Sequence, residues 1–150
     1  MPTPHTRARW PRLVALVHFY LALGIGWGHA MLWFTPASLA SNVTPGGITA
    51  WAVMTMVGGL VASTGLIFKA RRNRRLQLRG LSIEFVGVVL LAGGPFQYLA
   101  IQVGFWIDGQ FAARYALAWF AYAMLASLFV RFATVVPDFI ADATDERKAG

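Results

Sequence analysis

Four apolar runs, residues 13–34, 48–68, 81–106 and 111–135, take up most of this 150-residue chain. Each is long enough to cross a bilayer as a helix, which takes about 20 residues. In hydrocarbon a spanning segment must satisfy its own backbone hydrogen bonds, and separate apolar runs of this length do so as helices packed side by side. The sequence therefore predicts an all-α, integral membrane four-helix bundle. The connections are too short to hold a second core, so residues 1–150 form one domain. Composition agrees: 57% of residues are hydrophobic and 13% charged, against about a quarter charged in soluble domains.

The charges give the chain a direction. Arg7, Arg9 and Arg12 precede the first run, and Lys69, Arg71, Arg72, Arg74, Arg75 and Arg79 separate the second from the third. Residues 35–47 and 107–110 contain no Lys or Arg. Short basic connections stay on the cytoplasmic side. The basic N-terminus (1–12), the basic loop (69–80) and the polar tail (138–150) are thus expected inside a bacterial-type inner (plasma) membrane. The net charge of +7 is then directed at the anionic lipids of the cytoplasmic face rather than at nucleic acid, with the six basic residues of 69–80 as the contacts. A cleaved signal peptide ending near Ser38-Leu39-Ala40 is the competing reading of the first run, whose length exceeds the roughly 7 to 15 residues of a signal's apolar region.

Residues 35–47 are uncharged and punctuated by Pro and Gly, which reads as an interfacial loop. Asp108-Gly109 reads as a tight turn that makes spans three and four an antiparallel hairpin. Helices in lipid associate through close backbone approach and interhelical hydrogen bonds. The packing faces are therefore expected at small residues: Gly24 with Gly28 on the first span, Gly58, Ala62 and Gly65 with Thr55, Gly59 and Ser63 on the second, and Ala112 with Ala116 and Ala123 with Ala126 on the fourth.

The third span carries the polar chemistry. At about 100° per residue, Glu84, Gly87, Gly94, Tyr98 and Gln102 share one face, which must point into protein or water. Gly93-Gly94-Pro95 lies mid-span, where proline removes a hydrogen bond and kinks a helix. Glu84 is the sole acidic residue within a run, and a carboxylate in hydrocarbon needs a partner or a proton. Depth matching across the hairpin sets it near Arg131, and near His18 of the first span. An intramembrane cluster of Glu84, Arg131 and His18 is the expectation, as a structural ion pair or as part of an ion path.

His18 and His29 lie three turns apart on one face. Bis-His haem needs ligands from both sides of the iron, and no other span supplies a histidine, so one chain cannot make that site and only a symmetric dimer could. The tryptophans, apart from Trp119, fall towards span ends and read as interface anchors. There is no cysteine, no paired carboxylate, no HExxH, no GxSxG and no phosphate loop. The sequence predicts neither an enzyme nor a cofactor or metal site.

The layout, together with Arg79-Gly80-Leu81-Ser82-Ile83-Glu84-Phe85 and Gly93-Gly94-Pro95 downstream, resembles the small four-span membrane proteins of actinobacterial phages, some of them holin-like. That resemblance implies self-association in the inner membrane and, for a holin, timed permeabilisation. It assigns a role to no individual residue. Two alternatives stand beside it: an accessory subunit of a larger membrane complex, and a small transporter or channel using Glu84.

The topology is checked by reporter fusions. Alkaline phosphatase should be active when fused within 35–47 and inactive after Lys148; the opposite pattern would reverse the orientation.

Overall fold

The computed structural model describes residues 9–35, 37–71, 73–107, 121–134 and 137. These form α1 (Arg9–Trp33), α2 (Ala37–Asn42), α3 (Pro45–Lys69), α4 (Arg74–Ile107) and a shorter apolar helix, α5 (Ala121–Thr134). No strand occurs among the described residues. α1, α3 and α4 are each long and apolar enough to cross a membrane, so the chain is a multi-pass membrane protein. The Asp108-Gly109 turn, the Ala112 and Ala116 pair, Arg114 and Trp119 lie outside the described residues.

Two connections differ from their expected form. The 35–47 segment folds into α2, and α3 begins at Pro45. Thr44, in extended backbone, caps α3 by accepting from the Gly47 amide, and proline suits the first helical position because its missing N–H would be unsatisfied there. The basic segment 69–80 is mostly helix. Asn73 accepts from the Arg75 amide through its side chain and from the Gln77 amide through its backbone. Arginine, leucine and glutamine are then good helix formers, so α4 starts seven residues before the apolar run. Gln77 donates from Nε2 to the Arg71 carbonyl, which closes the turn.

α3 is the centre of the bundle, because small residues leave it two faces. Towards α4 it presents Gly58, Ala62 and Gly65. A methyl group on Gly58 would collide with the Leu91 backbone, and one on Gly65 with the Glu84 backbone. α4 answers in kind: a methyl group on Gly87 would meet the Ala62 backbone, and one on Gly80 the Lys69 backbone. Towards α1, α3 turns Ala52, Thr55 and Gly59 against Gly24 and Gly28. Ser63 closes the same seam by donating to the Gly59 carbonyl at 2.8 Å and the Val17 carbonyl at 3.4 Å. α1 and α4 touch each other only slightly.

α5 packs against α4. Phe85 and Phe132 stack with ring centroids 5.1 Å apart, and Arg131 reaches Glu84. Its inward residues are Ala121, Met124 and Leu128, whereas Ala123 and Ala126 face outward. That corrects the expected Ala123 and Ala126 contact on this helix: α5 packs through Ala121, Met124 and Leu128 and leaves that pair outside.

Gly58→Ala and Gly65→Ala should each lower the melting temperature in detergent. Alanine gains about 1 kcal/mol of helix propensity over glycine, but overpacking costs about 1–3 kcal/mol and here the obstacle is backbone. Gly104→Ala, with open space around it, should melt no lower than wild type. Equal responses at the three sites would mean the seam is not closely packed.

Candidate functional site

Three helices converge on one carboxylate. Glu84 of α4 is fully buried, and its Oε1 accepts from Tyr20 Oη at 3.0 Å, Arg131 Nε at 2.9 Å and Arg131 Nη2 at 2.5 Å. Arg131 Nε also donates to Tyr20 Oη at 3.1 Å, and Nη1 lies 3.5 Å from Thr134 Oγ1. The Arg131 side chain keeps 21% of its surface exposed, so the guanidinium sits at the rim of the bundle with the carboxylate behind it. Glu84 Oε2 is buried with no hydrogen-bond partner.

The backbone makes room for this group. Gly65 and Gly80 flank Glu84, and the α3 backbone passes where a larger residue would hold it away. Charge-assisted bonds of this kind are shorter and stronger than neutral ones. The arrangement joins α1, α4 and α5 and neutralises a group that lipid would otherwise penalise. Chemically it is a clamp. It has no nucleophile paired with a base, and among the described residues no group of His, Asp and Glu could hold a metal ion.

His18 does not join the cluster. Its ring is exposed, with Nδ1 2.8 Å from the Val14 carbonyl. Tyr20 sits two residues on, about 200° around the helix, and takes the inward place. The missed signal was in the sequence. Tyr20, Gly24, Trp27 and Met31 recur at helical spacing, and the Gly24–Gly28 pair already marked that face as the packed one.

The remaining polar face of α4 also points inward: Gly87, Gly94 and Tyr98 are buried and Gln102 is half-buried. Gly93-Gly94-Pro95 does not interrupt α4, which is continuous through Pro95. The same segment forms a recess. A methyl group at Gly94 would strike Thr55 Oγ1 and press on Trp27 Nε1, and one at Gly93 would strike Met54. Trp27, read from sequence as an anchor near a span end, is fully buried in that recess and meets Tyr98 edge-on, with centroids 5.7 Å apart. Trp33 at the end of α1 is 76% exposed.

Among the described residues, the basic side chains collect at one end of the bundle. Arg12, Arg71, Arg74, Arg75 and Arg79 are exposed and Lys69 half-buried; Arg72 lies outside the described residues. Compared with known proteins, the chain matches no family model, no curated protein and no solved structure.

Arg131→Gln should be severely destabilising, because breaking a buried pair from one side costs about 3–5 kcal/mol in soluble proteins. The double variant Glu84→Gln/Arg131→Gln should recover much of that loss. Tyr20→Phe should cost about 1 kcal/mol, in the range of membrane hydrogen bonds. Thermal melting in a common detergent measures all three, and additive losses in the double variant would argue against direct pairing.

Proposed function

We propose that this chain is a non-enzymatic inner-membrane protein that acts by self-association, in the manner of holin-like permeabilising proteins. The observation that carries the reading is the outer face of α1. Ala15, His18, Ala22, Gly26 and His29 recur at spacings of three and four residues, and all five are exposed. Ala22 and Gly26 form a small-xxx-small pair of the kind that lets helices approach closely. A methyl group on Gly26 would meet nothing within the monomer. Two imidazoles flank the small residues on a face that would otherwise meet lipid, and polar side chains in membrane helices belong against protein or water. A second copy of α1 supplies both the close contact and the polar partners.

The Glu84 clamp supports the same reading. A carboxylate already engaged by Arg131 and Tyr20 serves cohesion between helices, and a proton or ion path through it would have to break that engagement. The gathering of basic residues at one end supports a four-span topology with both termini cytoplasmic.

Induced expression with a membrane-potential dye and in-membrane cross-linking tests the proposal. Wild type should form oligomers and depolarise the membrane. Ala22→Ile/Gly26→Ile, which leaves the monomer's own packing untouched, should remain monomeric and harmless. Oligomers without depolarisation would favour the accessory-subunit reading, and a wild-type monomer would overturn self-association altogether.

A further inference from the structure

On the side of the bundle formed by α4 and α5 lies an open groove of about 630 Å³, within the roughly 300–1,000 Å³ range of small-molecule sites. Its lining includes Val89, Gly93 and Phe96 of α4 and Tyr122, Phe129 and Phe132 of α5. Phe96 and Phe129 are largely exposed, so the groove opens towards the surroundings of the bundle.

The groove continues into charge. Along α4, Arg75, Arg79, Ser82, Val86, Val89, Gly93 and Phe96 recur at alternating spacings of four and three, which keeps them on one stripe. All are exposed except the half-buried Gly93. The stripe begins with two arginines and ends in the apolar groove. From Arg79 to Gly93 is fourteen residues, about 21 Å at 1.5 Å each. One leaflet with its headgroups measures about 20–22 Å. With Arg79 at phosphate level, Gly93 falls at the bilayer midplane, where an acyl chain from that leaflet ends.

We infer that this stripe is a binding site for one anionic phospholipid, its phosphate on Arg75 and Arg79 and an acyl chain in the groove between α4 and α5. Charge selects this occupant. Glu84 is the sole acidic residue before position 108, and it is held by Arg131, so nothing in that stretch of chain is free to neutralise the two arginines. Two copies meeting through the same face in one membrane share an orientation, which would bring their arginines together at equal depth and repel. The site uses a different face from the α1 contact proposed above, and it requires only that the basic end of the bundle lie at headgroup level.

Native mass spectrometry of the full chain in mild detergent, titrated with defined lipids, tests the inference. Dioleoyl phosphatidylglycerol should bind well ahead of dioleoyl phosphatidylcholine. Arg75→Gln/Arg79→Gln should weaken phosphatidylglycerol binding by roughly twenty-five-fold, since each basic residue at the surface contributes about a fivefold factor, and should weaken phosphatidylcholine, whose choline already offsets its phosphate, much less. Ala126→Trp, from an exposed groove position, should weaken both long-chain lipids and spare dihexanoyl phosphatidylglycerol. Both variants alter exposed residues, and unchanged melting temperatures establish that they fold. Equal binding of the two headgroups in wild type, or Ala126→Trp without effect on the long-chain lipids, would overturn the site. So would an efficient disulfide between copies carrying Ala126→Cys, introduced into a chain that has no cysteine of its own.

Discussion

Backbone proximity holds this bundle together. Lipid tails are as apolar as leucine, so burying a leucine against another helix gains little over leaving it in the bilayer. What remains is dispersion at short range and the bonds that short range permits. α3 supplies that range on two sides at once, with Gly59 and Thr55 against α1 and Gly58, Ala62 and Gly65 against α4. The polar contacts follow from it. Ser63 reaches the Val17 carbonyl, and Tyr20 reaches Glu84, because the helices between them are already close.

That dependence explains which parts of the molecule could be read from sequence. Helix class, the apolar lengths and the small faces of α3 follow from periodicity in one segment at a time, and the structure has the long apolar helices such a reading implies. The number of crossings is less directly legible, because the described part of the last run covers only Ala121–Thr134. Helix starts were legible only in part: Asn73 begins α4 inside the arginine cluster, since a local hydrogen bond decides the start and hydropathy does not register it. Glu84 and Arg131 could be related by depth alone. The third member could not, because His18 and Tyr20 differ little in depth and only the facing of α1 separates them. Polarity pointed to the histidine; the glycine pattern of α1 pointed to the tyrosine.

The two faces of α1 illustrate how differently lipid and protein treat polar groups. The inner face buries a phenol and an indole: Tyr20 sets its backbone carbonyl against Gly59, and the Trp27 ring lies in the space that Gly94 leaves. The outer face carries two exposed imidazoles. Tyrosine and tryptophan bring a large apolar body with a single polar tip, which suits an enclosed seam. Histidine is polar on both sides of its ring and needs company at either nitrogen.

The Glu84 clamp also bears on how the chain is made. Tyr20 precedes the carboxylate by 64 residues and Arg131 follows it by 47. During synthesis the phenol is therefore present when Glu84 emerges, while the cation is still to come. A chain stopped before α5 carries an uncompensated carboxylate behind a single hydroxyl, and the charge on Glu84 is balanced only when α5 brings Arg131. Neutrality of the interior thus waits for α5, so a chain that stops short of Arg131 differs chemically from one that carries it.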